Sequence, residues 1–390
     1  MNKIRFGIIG AGNQGSYYAT KLFDEGKIEN GVLTAVCDIN PAKIDLIKGK
    51  LKTADVRYFD NYIDMAESGV CDAVLVETPH YRHPEIVCEC LRRGIHVLCD
   101  KPAGVYTKQV REMNELAETC NAKFGMMFNQ RTNCLYRKMK EIIAEGGIGR
   151  LRRVNWIITD WYRTEAYYAS GDWRATWSGE GGGVLINQCP HQIDLYQWIV
   201  ARMPKSVRAV CQYGRWHDIE VEDDVTAFFD YGDGATGVLI TTTGEAPGTN
   251  RLEISGTLGK LLCEGDKLYW TKNETDSAEH SKTYSGGYTK PKSETALVET
   301  DGDNPQHEGI LNNFANALLG LEEMFVDGVE GIHSVELMNA MELSGWMGGE
   351  EITLPVDEER YLSELNARRA TSRRKTEVTC GVAEDMSGTF

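Results

Sequence analysis

Apolar residues follow two different rhythms along this chain. Up to about position 130, unbroken apolar runs at 4–9, 32–37, 71–77, 96–99 and 123–128 alternate with helically spaced stretches at 16–23, 83–93 and 107–120. A further helix opens near Pro41. Runs of that length are strands buried on both faces, and strands alternating with helices predict a parallel, doubly wound sheet. Beyond position 150 the runs at 152–160, 206–213, 224–231, 237–243 and 251–255 partly alternate apolar with polar, between turn signals such as Gly232-Asp233-Gly234 and Gly265-Asp266. That rhythm predicts a mostly antiparallel sheet.

Helical spacing at 135–145, 307–319 and 334–344 supplies flanking helices, and 275–303 reads as a polar loop. The pattern predicts an α/β domain over 1–130 and an α+β domain over 131–369. The polar tail over 370–390 is either mobile or an arm laid on a neighbouring subunit.

Charge and cysteine usage narrow the partners. The chain carries 58 acidic against 42 basic residues, a net charge of −16, which disfavours nucleic acid and anionic membrane. No apolar run approaches the roughly 18–20 residues that span a bilayer, and the N-terminus enters its first strand without a leader, so a cytoplasmic location is expected. Eleven cysteines are scattered without a C-x-x-C pair, so they read as free thiols, and no metal is expected.

The candidate chemistry starts at the first turn. Gly10, Gly12 and Gly15 form G-x-G-x-x-G between a strand and a helix. Gly10 allows the tight turn, Gly12 lets backbone approach a pyrophosphate, Gly15 lets the helix pack on the strand, and the helix N-terminus faces the phosphates. Asp38 lies 23 positions beyond Gly15, where an acid binds ribose hydroxyls and repels a 2′-phosphate, favouring NAD over NADP. It equally suits the cap of the helix near Pro41.

Polar clusters at 78–83, 100–102 and 129–131 fall at strand ends on one edge of the sheet. Among them Lys101, locked by Pro102, is placed to hold a hydroxyl oxygen and stabilise a developing alkoxide, with desolvation easing proton exchange. Tyr162, Arg163, Trp173 and Arg174 crowd a loop in the second domain. Such residues either bind sugar faces and hydroxyls or fill an interface. After the glycines at 181–183 comes a helix near 184–200, in which Pro190 fits a first turn, so the helix starts at Asn187 or Cys189. Asn187, His191 and Asp194 then share one face, with His191 the candidate base.

Six segments, GIIGAGNQG, TPHYRH, CDKP, Asn129-Gln130-Arg131, GGGVLINQCPHQID and RLEISGTLG, together resemble the glucose–fructose oxidoreductase, inositol dehydrogenase and rhizopine-catabolism (Gfo/Idh/MocA) family over nearly the whole chain. The resemblance implies an NAD-binding Rossmann domain followed by a substrate and oligomerisation domain with an open-faced, mostly antiparallel sheet, and Lys101 and His191 as the catalytic pair, with Asn187 beside them. It assigns NAD to Gly10, Gly12, Asn13, Gln14, Gly15, Asp38, Thr78, Pro79, His83, Asp100, Lys101 and Asn129. Two positions depart from the family pattern: Asp100 stands where Glu is usual, and Asn187 where Asp is usual. An amide cannot take a proton, so Asn187 can only orient substrate or His191 by hydrogen bonding.

The expected activity is oxidation of a secondary hydroxyl of a sugar, a glycoside (at C3) or a cyclitol by hydride transfer to NAD, in a homo-dimer or tetramer built through the second sheet. The same motifs suit a redox-neutral glycosidase that retains NAD and oxidises its substrate transiently. The amide at 187 also leaves room for a non-catalytic NAD-binding protein.

Overall fold

The structure is a computed structural model that describes residues 3–53, 55–373 and 375. The chain divides into two units, one running to Arg137 and completed by Thr300–Val335, the other holding Lys138–Glu299 and the chain from Glu336 onward. A single crossing near 130 is therefore too simple, because a later segment returns to the first unit.

The first unit holds six strands: β1 Ile4–Ile9, β2 Gly31–Cys37, β3 Arg57–Phe59, β4 Ala73–Val76, β5 His96–Cys99 and β6 Phe124–Met126. They lie in the order β3-β2-β1-β4-β5-β6, and every pair is parallel. Phe6, Ile8, Val74, Leu75, Val76 and Val97 are buried, as a sheet covered on both faces requires. Strand β3 and the helix Tyr62–Glu67 escape a reading of the sequence because their sides are only half-apolar. The helix after β1 is an α-turn over Asn13–Tyr17 that widens to π geometry over Tyr18–Phe23.

The returning segment packs against β1 and the edge strand β6 of this sheet. Its helix Gln306–Leu318 brings the Phe314 ring to 6.4 Å from that of Phe6. Asp327 bridges to Gly125 of β6, and Glu330 pairs at 2.7 Å with Arg131, which is 1 % exposed. An edge strand with an apolar face needs such a cover.

The second unit holds β7 Leu151–Ile158, β8 Ser206–Tyr213, β9 Glu222–Asp230, β10 Thr236–Thr242, β11 Asn250–Gly256, β12 Gly259–Glu264, β13 Lys267–Asn273, β14 Ser293–Leu297 and β15 Ile352–Thr353. Their order is β14-β13-β12-β11-β7-β10-β9-β8-β15, antiparallel except for the parallel pair β7–β10. Val225, Ala227 and Phe229 of β9 are buried while Phe228 is exposed, the alternation of a sheet with one open face. On the closed face the helix Pro190–Trp198 places Tyr196 against Phe229, ring centroids 4.8 Å apart.

The second unit departs from the sequence reading in three places. The stretch 275–303 is not a plain loop, since it carries the helix Ser277–Thr283, capped by Asp276, and the edge strand β14. A helix at Glu358–Ala370, capped by Asp357, has no counterpart among the expected elements. Residues 371–373 and 375 lie on their own chain, while position 374 and residues 376–390 of the expected tail fall outside the described residues.

Candidate functional site

In the first unit the glycine loop closes the carboxyl end of β1. Gly10 sits at φ +106°, and a Cβ there would lie 2.4 Å from the Glu77 carbonyl oxygen at the end of β4. A Cβ on Gly15 would lie 2.0 Å from the Gly10 carbonyl oxygen, whereas a Cβ on Gly12 meets nothing within 4 Å. Gly10 and Gly15 are thus demanded by the protein's own packing, and Gly12 keeps open the space where the helix N-terminus points.

Asp38 is 8 % exposed and fastens this loop. Its Oδ2 accepts from the Ala11 N–H at 2.7 Å and its Oδ1 from the Asn40 N–H at 2.8 Å, with Lys43 Nζ at 3.6 Å. The helix cap is Asn40, whose side chain accepts from the Ala42 N–H, so the capping role considered for Asp38 belongs two residues later.

The strand ends beyond β4 and β5 are held together by His83, whose Nε2 lies 2.6 Å from the Thr78 carbonyl and Nδ1 2.8 Å from that of Pro102. Burial lowers the His83 pKa, against the opposing pull of those carbonyls. Asp100 and Lys101 follow β5 directly. Burial raises the Asp100 carboxyl, while Lys101 and His83 pull it down.

Beside Asp100 stands Glu77, a residue missed from the sequence. Burial pushes its carboxyl well up, and the charge of Asp100 pushes it further. Two adjoining acids cannot both ionise cheaply, so the like charge adds to burial in raising Glu77. Tyr18 and His307 complete the surroundings: their rings lie 5.6 Å apart, and burial, helped by Lys101, drops His307 to about 3. The only sequence signal for Glu77 is an acid closing an otherwise apolar strand.

The fit to a dinucleotide is visible in buried polar atoms. Thr78 Oγ1 and Asn129 Oδ1 are sealed and make no hydrogen bond among the described residues. Asn129 Nδ2 donates to Gln306 Oε1 at 2.6 Å, which turns its oxygen outward from that contact. Gln14 Nε2 and the Tyr18 hydroxyl are likewise buried without a hydrogen bond among the described residues, Asn13 opens the helix, and Pro79 is exposed after Thr78. Polar groups around an open glycine, at the switch point between β1 and β4, suit the phosphates and hydroxyls of NAD.

In the second unit the helix starts at Pro190, its N1 residue. His191 is therefore in the first turn, while Asn187 precedes the helix, its N–H donating to Gly183 O at 3.0 Å. They do not share one helical face as expected. Asp194 is fully buried and accepts from Gln197 Nε2 at 3.2 Å.

The aromatic loop contains a short helix, Glu165–Ala169. Arg174 lies over the rings of Tyr167 and Trp173, 4.5 and 4.6 Å from their centroids. Tyr167 Oη accepts from Arg174 Nη1 at 2.8 Å and from Gln188 Nε2 at 3.0 Å. Arg163 joins through the Tyr167 ring at 5.2 Å, whereas Tyr162 is 52 % exposed and stands at the rim. Ser372 Oγ and the Arg373 N–H donate to Glu220, which also takes the Trp177 N–H at 2.8 Å, so the chain beyond 370 fastens this loop.

Three buried glutamates, all missed from the sequence, surround the glycine run. Glu180 accepts from Asn187 Nδ2 and from the Ala175 N–H. Glu222 Oε1 accepts from the Gly183 and Leu185 N–H groups at 2.8 and 3.1 Å. Glu342 accepts from Tyr361 Oη. Burial raises all three carboxyls, Glu222 to about 7. Gly183 is obligatory, since its Cβ would lie 2.0 Å from the Glu222 carbonyl oxygen.

A parallel sheet in this order, with a glycine cradle at its switch point and an acid after its second strand, defines a Rossmann dinucleotide-binding enzyme unit. Residues 4–128 match the oxidoreductase family with NAD-binding Rossmann fold, and residues 136–262 match the GFO/IDH/MocA C-terminal domain. The chain belongs to the Gfo/Idh/MocA oxidoreductases, and its first unit is an NAD-binding domain.

It is similar to the rhizopine catabolism protein MocA of Rhizobium meliloti, 27 % identical over 242 residues, 61 % of this chain and 71 % of that protein. Inositol 2-dehydrogenase of Rhizobium meliloti is 22 % identical over 331 residues, 84 % and 89 % of the two chains. Among solved structures, the WlbA dehydrogenase of Chromobacterium violaceum, in complex with NADH and UDP-GlcNAcA, superposes with a TM-score of 0.77 at 27 % identity, covering 92 % of this chain and 97 % of that one. Among the described residues the cysteines are free thiols, no cluster could hold a metal ion, and no helix is long and apolar enough to cross a membrane.

Proposed function

We propose that this protein oxidises a secondary hydroxyl of a sugar, glycoside or cyclitol. The observation that carries the reading is Lys101, set at the carboxyl end of β5 beside the Glu77–Asp100 acids and fixed by the His83 bridge from Thr78 to Pro102. NAD, when bound, supplies the hydride acceptor. It would be held by the Gly10–Gly15 loop, Asp38, Thr78 and Asn129.

The remaining work falls to the chain's own groups. His191 takes the hydroxyl proton as general base. Lys101 donates a hydrogen bond to the same oxygen and stabilises its developing charge. Trp173 and Arg174 present a ring and a guanidinium to the sugar, and Asn187 orients a hydroxyl without taking its proton. The exposed sheet face around Phe228 and Val210 joins a second copy of the chain.

The reading is tested with purified protein, with and without added NAD+, against a panel of free sugars, methyl glycosides and cyclitols. Accumulating NADH absorbance with at least one compound is expected. Product release without lasting NADH would replace this reading with redox-neutral cleavage.

A further inference from the structure

Glu180 is an acid at 2 % exposure in a loop that otherwise carries the aromatic and arginine side chains of the second unit. A carboxylate removed from water at such cost must be offset by hydrogen bonds. Its Oε2 accepts from the Ala175 N–H at 2.5 Å, and its Oε1 accepts from Asn187 Nδ2 with Arg174 Nη1 at 3.9 Å. Arg174 in turn reaches Tyr167, which Gln188 also reaches. One buried acid thus joins the arginine and aromatic residues of the loop to the residue four positions before His191.

This contact also fixes which way the Asn187 amide faces. Oxygen and nitrogen of an amide are told apart by their partners, and a carboxylate accepts only from the nitrogen. Oδ1 is therefore the end of the amide turned from Glu180.

We propose that Glu180 is a positioning residue of the substrate site: it fixes the Asn187 amide and holds Arg174 over Tyr167 and Trp173. The assignment rests on the reading above, in which Asn187 and His191 serve the reacting sugar or cyclitol. Glu180 itself does not exchange the substrate's proton.

The test compares Glu180→Gln with the exchanged pair Glu180→Gln/Asn187→Asp, both in the full chain with NAD+ present. In the single variant the new amide at position 180 must face an N–H on both sides, and one of its contacts sets donor against donor. In the exchanged pair that amide donates to the carboxylate now at position 187 and accepts from the Ala175 N–H. Both bonds return, and position 187 still offers an outward oxygen. Thermal midpoints are read first, then kcat and KM for the best compound of the panel.

The single variant should lose about 100-fold in kcat/KM, the scale of a misplaced substrate contact, and the exchanged pair should recover to within about tenfold of the parent. A single variant within about twofold of the parent overturns the proposal. So does an exchanged pair that regains its thermal midpoint but not its kcat/KM, because the orientation of residue 187 would then not be what matters. If the single variant does not fold, the exchanged pair decides alone, and its failure to fold reduces Glu180 to a structural residue. A parent protein inactive on every compound defeats the functional reading itself, and that is seen before any variant is compared.

Discussion

The Asp38 carboxylate takes the Ala11 N–H at 2.7 Å, so the acid at the end of β2 is part of the glycine loop's own architecture. Replacing it with Ser should therefore do two things. NAD+ affinity should fall by about 10- to 100-fold, since a charged hydrogen bond contributes roughly 1.5–3 kcal/mol. The NADP+/NAD+ affinity ratio should rise, because Lys43, now 3.6 Å from Asp38, would be left facing a 2′-phosphate. Fluorescence titration with both cofactors reads each effect, and an unchanged ratio would contradict the role given to the acid.

The three glycines should separate into two kinds. Gly15→Ala forces a Cβ to 2.0 Å from the Gly10 carbonyl and should lower the thermal midpoint by several degrees, as overpacking of about 1–3 kcal/mol does. Gly12→Ala meets nothing within 4 Å, so the midpoint should hold while NAD+ binding weakens. A stable Gly12 variant with full NAD+ affinity would remove the pyrophosphate from that position.

Lys101→Met and His191→Ala should each abolish turnover while leaving NAD+ binding nearly intact. Calorimetry for the cofactor and NADH absorbance for turnover check this together. Activity surviving in either variant would overturn the assignment of the pair.

Glu222 ties stability to pH. Burial raises its carboxyl from 4.5 in the unfolded chain to about 7, so the folded state holds a proton that the unfolded state releases in between. Stability from this group is complete below 4.5 and is lost as pH rises through about 7. Denaturant midpoints should fall from pH 5 to pH 8 by the equivalent of a few kcal/mol, and Glu222→Gln should flatten that slope. An equal slope in the variant would place the titration elsewhere.

Phe228 and Val210, 44 % and 57 % exposed, lie on the open face of the second sheet. Light scattering should show an oligomer that Phe228→Lys converts to a monomer. A parent that is already monomeric would dismiss the face as a subunit contact.

Much of the first unit is legible along the chain. Unbroken apolar runs can only be strands covered on both faces, and a glycine fingerprint between strand and helix has a single economical geometry. Strand β3 and the capped helix at 277–283 are not legible, because their apolar periods are too short or too weak to register. The sequence puts the helix start at Asn187 or Cys189, and Cys189 is its cap; Asn187 lies outside, since turns through the glycine run take up the backbone groups there.

The sequence by itself determined the class of fold, the cofactor cradle and the candidates Lys101, His191 and Asp38, because each depends on local spacing or on residue type at a strand end. Only the tertiary structure decided that 300–335 completes the first unit, that Glu77 adjoins Asp100, and that Glu180 carries the Asn187 amide. Those are contacts between stretches with no common period. Burial, which makes an acid costly enough to organise its neighbours, is a property of the packed chain and leaves no trace in one residue's identity.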